Sequence, residues 1–427
     1  MRTTDLSFYG LTINNIKQEF VVTRFLIYLF PAVADVVLAA TMFVCSNRIA
    51  DAGKSRTEVA MVFAAWAAIY ILSNQVLARI VTSRNAAALM IVANLLFAAL
   101  AGVFVLIENV WAIYTAMAAL AVATGLFFLP FQVFMKAVEP DQHQGVVRSV
   151  AFYTFSWSLG FASGPFIAGI IYQGLGWRWC FAFTALISLL TAFGIQLLKH
   201  HAKHHHTDTS QQAHSQLTCN ADNINYHTMP DLAWLQWIVT GVGCLGSYAL
   251  LALLPSIGVS FVIPKSQVGS MVALLYVVQA LVGLGLVRSK IWMFRALPVI
   301  CFTGFGLIGI ICFGISLLPN LNGVELLTVP LRTIGLYVST AFYGVFSGSF
   351  FFGLVFHSLV HPSRSAKYVA INEMVVGICG VVGPILAGTL ADKFGFSAFP
   401  VTLISLITGA MILQFAVLKR LTGKNGI

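Results

Sequence analysis

The chain has 427 residues, of which 59% are hydrophobic and only 9% are charged. These fractions exclude an ordinary soluble globular protein, in which about a quarter of the residues are charged, and they predict an integral membrane protein. The formal net charge of +10 is spread over predicted loops that face anionic lipid headgroups. It therefore gives no reason to expect nucleic-acid binding.

In chain order, the first segment is residues 1–20, which lack the apolar core and small-residue cleavage site of a removable signal peptide. Twelve apolar stretches follow, each with about the 20 residues that a bilayer-spanning helix requires. They begin near residues 21, 57, 85, 110, 147, 177, 232, 267, 292, 333, 366 and 396. The sequence predicts an all-α integral membrane protein with twelve transmembrane helices.

The loops between these stretches predict an orientation. With the amino terminus in the cytoplasm, Lys and Arg are more frequent on cytoplasmic than on outer loops, which is the positive-inside pattern. We therefore expect a multi-pass protein of the cytoplasmic (inner) membrane with both termini in the cytoplasm. The predicted domains are a cytoplasmic N-terminal segment (1–20), an N-terminal six-helix bundle (21–198), a cytoplasmic His-rich linker (199–230) that is disordered, a C-terminal six-helix bundle (231–419) and a cytoplasmic tail (420–427).

A Gly-Pro-x-x-Ala-Gly motif occurs twice, at 164–169 and at 383–388, 219 residues apart. Sequence around the motif is repeated as well: ALISLLTA begins at residue 185 and TLISLITG at residue 402. An internal duplication explains both matches. We expect the two six-helix bundles to be pseudo-symmetric.

Together, twelve helices in two similar halves, a long polar segment between the halves and a Gly-Pro motif in the fifth helix of each half resemble the major facilitator superfamily. This resemblance covers essentially the whole chain. It implies alternating access, in which two bundles rock about a central site near the bilayer midplane. A small-molecule or ion substrate is implied with it.

Helix 5 is similar to the antiporter motif GxxxGPxxGG of that superfamily, with Ala168 in place of one glycine. The loop between helices 2 and 3, NQVLARIVTSRNAAAL, departs from the family pattern and keeps only Arg79 and Arg84 of its usual motif. The first feature favours export. The second leaves a proton-driven drug exporter in doubt.

The glycines and prolines of helices 5 and 11 predict a conformational seam. Glycines four residues apart let another helix approach closely, and a proline removes one backbone hydrogen bond. The predicted seam residues are Gly160, Gly164, Pro165, Gly169, Gly380, Gly383, Pro384 and Gly388. The alternative is that these residues serve helix packing alone.

Two acidic residues lie inside predicted helices, Asp35 in helix 1 and Glu373 in helix 11. Acids at such depth are candidates for function, because a carboxyl group in a cavity can bind and release a proton or a cation. Arg24 and Tyr28 share a helical face with Asp35, and Asn372 precedes Glu373. We predict that these five residues bind the coupling proton or the substrate. A structural hydrogen bond or salt bridge is the alternative for each acid.

Histidines cluster in the segment between the halves. Imidazole binds transition metals, so the predicted metal ligands are His200, His201, His204, His205 and His206. The segment has no ordered ligand spacing, and a solvated linker without a metal is the alternative.

The sequence contains no motif that predicts enzyme activity. A Gly-x-Gly-x-x-Gly string at 304–309 lies within predicted helix 9, whereas a dinucleotide site requires it between a strand and a helix. Neither a phosphate-binding loop nor a Gly-x-Ser-x-Gly motif is present. We expect no enzyme activity and no cofactor.

We predict a secondary active transporter that moves a small solute by alternating access, is coupled to protons and exports amphipathic organic compounds. Proton-linked uptake of a small organic solute, and transport of a transition metal or metal chelate, are two alternatives. A third is a transporter-like sensor or scaffold with a metal-binding cytoplasmic loop. The expected partners are the substrate, the lipid bilayer and a divalent metal at the histidines, and the expected state is a monomer.

Overall fold

The structure is a computed structural model that describes the backbone of residues 6–82, 84–138, 146–203, 230–286, 291–321, 324–326, 329–359 and 364–425. Within these ranges it describes all side chains except those of residues 6–28, 134–138, 146–151, 199–203, 291, 329, 359, 365–366 and 422–425.

Twelve helices in the described part of the chain are long and apolar enough to cross a bilayer. They are α1 (Leu6–Asp51), α2 (Arg56–Leu77), α3 (Ala86–Leu106), α4 (Val110–Val138), α5 (Val146–Leu175), α6 (Trp177–Lys203), α7 (Ala233–Ser260), α8 (Lys265–Leu286), α9 (Ala296–Ser316), α10 (Leu331–Leu359), α11 (Ser365–Phe394) and α12 (Ala398–Asn425). A short antiparallel hairpin, β1 (Glu325–Leu326) and β2 (Val329–Pro330), joins α9 to α10. The predicted all-α membrane fold with twelve transmembrane helices is confirmed, and the hairpin is an addition to it.

The helices form two bundles, α1–α6 and α7–α12, in which equivalent pairs pack together. In the first bundle α5 packs on α1, α4 on α2 and α6 on α3; in the second, α11 packs on α7, α10 on α8 and α12 on α9. Between the bundles, α5 packs on α8 and α11 on α2. Each contact therefore has a counterpart in the other half, and the predicted pseudo-symmetry is confirmed.

The outer helices carry the surface that meets lipid. Large apolar side chains such as Leu95 on α3, Leu190 on α6, Ile308 on α9 and Ile412 on α12 are exposed. Such side chains are stable facing hydrocarbon, where helices satisfy all their backbone hydrogen bonds internally. The other eight helices form the interior of the protein, namely α1, α2, α4, α5, α7, α8, α10 and α11.

Successive helices run in opposite directions, which defines two ends of the molecule. The loops at 52–55, 107–109, 176, 261–264, 317–330 and 395–397 lie at one end, which we call the latch end. The last described residues of α2, α4, α6, α8 and α10 lie at the opposite end, together with the start of α1 and the end of α12. We call this opposite end the termini end.

Glycines allow α5 and α11 to lie against helices of their own bundles with backbones in contact. A Cβ atom added to Gly160 would lie 2.3 Å from the Ala32 carbonyl oxygen and 2.6 Å from the Asp35 Cβ atom. In the second bundle, one added to Gly383 would lie 2.6 Å from the Leu245 carbonyl oxygen. These distances are too short for any side chain, so the α5–α1 and α11–α7 contacts require glycine.

We therefore expect Gly160→Ala to destabilise the protein by about 1–3 kcal/mol, the usual cost of overpacking, and to lower its unfolding temperature in detergent. Gly174→Ala on the same helix is the matched control, because nothing lies within 4 Å of the added Cβ atom there. If both variants unfold at the wild-type temperature, the close approach of α5 to α1 is not as described.

Candidate functional site

At the latch end, a side chain of the second bundle caps a helix of the first. The Asp392 carboxylate on α11 accepts the backbone N–H groups of Arg56 and Thr57, each at 2.9 Å, and the Thr57 hydroxyl at 2.6 Å. Arg56 and Thr57 are the first residues of α2, where unpaired N–H groups and the positive end of the helix dipole favour an anion. Asp392 therefore binds the two bundles together.

The pseudo-symmetric position holds a neutral version of this cap. The Gln173 side-chain oxygen on α5 accepts the backbone N–H of Ser266 at 3.1 Å and the Ser266 hydroxyl at 2.5 Å, at the start of α8. Gln173 and Asp392 are 219 residues apart in sequence, the spacing of the repeated motif. Next to the Gln173 cap, Lys265 forms an ion pair with Asp51 at 2.6 Å. Both caps span the bundle interface, and only one of them uses a charged acceptor.

Next to the caps, on the side toward the termini end, backbone atoms of the two bundles contact each other across the interface. A Cβ atom added to Gly169 would lie 2.6 Å from the Lys265 carbonyl oxygen, and one added to Gly388 would lie 2.7 Å from the Thr57 Cα atom. On α8, the position of an added Cβ at Gly269 is 2.2 Å from the Pro165 carbonyl oxygen. The interface therefore leaves no room for a side chain at these positions.

The predicted seam residues divide into two groups. Those that contact their own bundle are Gly160, Gly164 and Gly383, and those that contact the opposite bundle are Pro165, Gly169, Gly380 and Gly388. Pro384 is buried within α11. The structure thus places this set in the contacts of α5 and α11 with both bundles, while movement along the seam stays a prediction.

An apolar cavity lies between the bundles at the level of these glycines. In this arrangement the cavity is narrow, with room for about one water molecule, and its walls come from α1, α2, α5, α7 and α8. The lining residues are Ala39, Met42, Phe43, Phe63, Phe161, Pro165, Leu251, Pro255 and Val272. Both bundles contribute to the cavity, so a relative motion of the bundles would change its shape.

Asp35 lies one helical turn from the cavity-lining Ala39, toward the termini end. Its side chain is only 2% exposed. Tyr70, Tyr153 and Tyr276, on three different helices, are each close enough to interact with it electrostatically. Within the described part of the chain Asp35 forms no hydrogen bond and no ion pair. It is a buried carboxyl group without a fixed partner.

Glu373 belongs to the same site from the side of the second bundle. Its side chain is exposed in this arrangement, and it interacts electrostatically with Tyr70 and Tyr153, the same two tyrosines that interact with Asp35. On the same face of α11, an added Cβ at Gly377 would lie 2.4 Å from the Ile71 side chain of α2. The structure thus brings Asp35 and Glu373 to one site at the bundle interface.

The other predicted site residues lie elsewhere. Asn372 accepts a hydrogen bond from the Trp237 indole at 2.8 Å and donates one to Ser358 at 2.7 Å, so its amide fixes α11 to α7 and α10. The side chains of Arg24 and Tyr28 are outside the described part of the chain, as are those of His200 and His201.

The predicted metal ligands His204, His205 and His206 also lie outside the described residues. Within the residues that are described, no group of three or more His, Cys, Asp or Glu side chains could hold a metal ion.

Several aromatic side chains of the site were not among the predicted site residues. Trp157 packs edge-on against Phe351 of the second bundle, with ring centres 5.2 Å apart, and Phe161 lies 5.2 Å from Tyr276. Beside them, the Gln279 amide donates to the Ser158 hydroxyl at 2.9 Å across the interface. No periodic pattern in the sequence distinguishes these inward-facing rings from the many aromatic residues that face lipid.

The interface is sealed toward the latch end. Among the described residues, every hydrogen bond between the bundles lies at the level of Gln279 and Ser158 or nearer to the latch end. The site is therefore closed toward the latch end by the cavity walls, the glycine contacts and the two caps.

A second cavity, about 440 Å³ including solvent-open space, lies within the second bundle and is lined by residues such as Gln236, Thr303 and Gln414. All of its walls belong to one bundle. A rocking motion between bundles would not expose it alternately, so the interface is the better candidate site.

Twelve membrane-spanning helices in two pseudo-symmetric bundles around a shared interface define the fold of a membrane transporter. The family model of the Major Facilitator Superfamily matches residues 20–356. The chain belongs to the major facilitator superfamily, and the resemblance found in the sequence is confirmed.

Solved structures with the same fold include two of a bacterial homologue of the human lysosomal transporter Spinster, both inward-facing, one unoccupied and one occupied. The unoccupied structure is 11% identical, with a TM-score of 0.66 over 92% of this chain and 96% of that chain. The occupied one is 12% identical, with a TM-score of 0.66 over 94% and 97%. At this identity the likeness shows the fold alone. No curated protein sequence matches the chain significantly.

We expect Asp392→Ala to weaken the latch end more than Gln173→Ala. A hydrogen bond to a charged group contributes about 1.5–3 kcal/mol and a neutral one about 0.5–1.5 kcal/mol, so losing Asp392 should raise the open-to-closed ratio about tenfold or more. Spin labels at the exposed Ala52 and Ser397 report this ratio by pulsed EPR. Equal distance distributions in the two variants would show that the charge of the cap has no special role.

Proposed function

We propose that the chain is a proton-coupled secondary active transporter that exports small amphipathic organic compounds across the cytoplasmic membrane. The observation that carries this proposal is Asp35, a carboxyl group 2% exposed at the bundle interface, which has no hydrogen-bond or ion-pair partner among the described residues. Structural acids in membrane helices normally pair with another group. An unpaired one at a moving interface is suited to carry a proton.

Burial decides when the proton can leave. An ionised carboxylate is costly in an apolar interior unless it is paired, whereas the protonated group is tolerated. Asp35 would therefore keep its proton while the protein encloses it and release the proton when water reaches it. Opening of one end of the interface at a time then connects the proton to one side of the membrane at a time.

The two caps supply the closing element of such a cycle. If both termini are in the cytoplasm, the latch end faces outward, and the described hydrogen bonds between the bundles lie on that outer side. In this proposal, breaking the Asp392 and Gln173 caps opens the outer path, substrate leaves outward, and a proton enters to reach Asp35. Return of the caps brings the proton to the inner side.

The solute class is inferred from the walls of the site. The interfacial cavity is lined by apolar and aromatic side chains, and the rings of Trp157 and Tyr276 pack against its lining residue Phe161. Pockets of this composition bind amphipathic compounds, with a few polar groups that fix their orientation. The resemblance of helix 5 to the antiporter motif supports export.

Proton-linked uptake is the second candidate, because the loop between α2 and α3 keeps only Arg79 and Arg84 of the family's usual motif. Uptake would use the same site with the proton and the solute moving in one direction. Transport of a metal or a metal chelate, and a sensor that binds without transport, both rest on the histidine cluster. Flux through purified protein separates the sensor from all transporters.

We expect Asp35→Asn to abolish gradient-driven transport while leaving exchange intact, because the amide fits the same space but does not ionise and so cannot bind and release a proton. Proteoliposomes with an imposed pH gradient are loaded with Hoechst 33342 or, as an uncharged compound, chloramphenicol. Net flux against the concentration gradient should fall at least about tenfold, the size of effect expected when a positioned proton-transfer group is lost. Counterflow of labelled for unlabelled compound should persist.

Glu325→Gln in the exposed hairpin is the matched control for replacing a carboxyl group with an amide. Flux opposite to the proton gradient supports export, and flux along it supports uptake. Gradient-driven flux of Asp35→Asn equal to that of the wild type would refute proton coupling through this residue.

A further inference from the structure

The two acids of the site differ in how much of each side chain can be reached. Asp35 is 2% exposed, whereas Glu373 is exposed, although both interact with Tyr70 and Tyr153. Because the two carboxyl groups have the same tyrosine neighbours but differ in exposure, they are suited to different roles. The difference follows from how each helix is held.

Asp35 is enclosed by the close packing of α1 and α5. The position of a Cβ atom at Gly160 is 2.6 Å from the Asp35 Cβ atom, so α5 backbone covers one side of the carboxyl group. The titratable side chains that face it from neighbouring helices are Tyr70 on α2, Tyr153 on α5 and Tyr276 on α8. A proton or a water molecule can reach such a position, and an organic solute cannot.

The packing around Glu373, in contrast, leaves its side chain accessible. The neighbouring Asn372 is bonded to Trp237 and Ser358, which fixes the rotation of α11 about its axis. Successive residues of a helix point about 100° apart, so Glu373 is turned away from α7 and α10 toward the space between the bundles. Its carboxyl group can therefore contact a solute in that space.

Four described basic side chains on the inner helices are engaged near the latch end, away from the two acids, whereas the exposed Lys367 on α11 lies toward the termini end. Arg48 donates to the carbonyl groups that end α3, and Arg332 donates to those that end α9. Arg56 and Lys265 take part in the contacts between bundles. Neither acid interacts electrostatically with a described basic side chain, so the site combines carboxyl groups with aromatic rings without a described positive charge to balance them. Carboxylates and ring faces both attract organic cations.

We propose that Glu373 binds the positive charge of the substrate, that the substrate is a lipophilic organic cation, and that Asp35 is reserved for the proton. This inference rests on the proposed function. It adds to it a substrate class and a division of work between the two acids.

The test compares tetraphenylphosphonium with tetraphenylborate, ions of nearly the same shape and opposite charge. Binding to purified protein in detergent is measured by equilibrium dialysis for the wild type, Glu373→Gln, Glu373→Asp and Asp35→Asn, with Glu325→Gln as the control. We expect the wild type to bind the cation and not the anion. Glu373→Gln should weaken cation binding about tenfold or more, as expected for loss of a charge-assisted contact, and Glu373→Asp should restore part of it.

Cation binding should fall much less in Asp35→Asn than in Glu373→Gln, since the positive charge of the substrate is assigned to Glu373. Gradient-driven flux should be lost in Asp35→Asn although this variant still binds the cation. Unfolding temperatures close to that of the wild type show that each variant is folded.

Unchanged cation binding in Glu373→Gln, or equal binding of the anion by the wild type, would overturn the inference. Loss of cation binding in Asp35→Asn alone would reverse the assigned roles and overturn it as well. If cation binding depends on Glu373 but no flux is found in proteoliposomes, the proposed transport function fails while the assignment of Glu373 stands.

Discussion

Helices α5 and α11 hold the protein together because each lies in backbone contact with both bundles. Gly160 brings α5 against α1, and Gly169 brings the same helix against α8. Gly383 and Gly388 do the same for α11 against α7 and α2. Such contacts are close but involve few interlocking side chains, so they can slide or tilt at lower cost than a packed core. The fold thus joins the two bundles through two glycine-lined contacts, and movement of the bundles along them stays a prediction.

The chemistry of the site depends on this arrangement. Asp35 lies where α5 covers α1, and Glu373 lies where α11 crosses toward α2, so each acid is tied to one of the two seams. A rocking motion would change the surroundings of both acids together. In the proposed mechanism, coupling between proton and solute needs no direct contact between the carboxyl groups, because both would respond to the same movement. The caps made by Asp392 and Gln173 favour the arrangement in which the latch end is closed.

Much of the fold could be predicted because a transmembrane helix requires a long apolar stretch, and α4 and α6 begin at the predicted residues 110 and 177. The repeated Gly-Pro motif likewise predicted the pseudo-symmetry. The caps could not be predicted, since the partner of Asp392 is the start of a helix more than 300 residues away in sequence. Nor could Tyr276 be assigned to the site, because a tyrosine in an apolar helix gives no sign of which way it points. Both acids could be selected because they lie inside predicted transmembrane helices. That their side chains differ in exposure is seen only in the packed structure.

The central claim is that the two ends of the interface open in alternation, and paired distances test it most directly. Spin labels at Ala52 and Ser397 span the latch end, and labels at Thr82 and Arg295 span the termini end; both pairs are placed in a protein without other cysteines. Distances are measured across a pH series with and without tetraphenylphosphonium. The account predicts that the latch-end distance lengthens whenever the termini-end distance shortens, in the same fraction of molecules. Two distances that change independently, or that do not change at all, would contradict it.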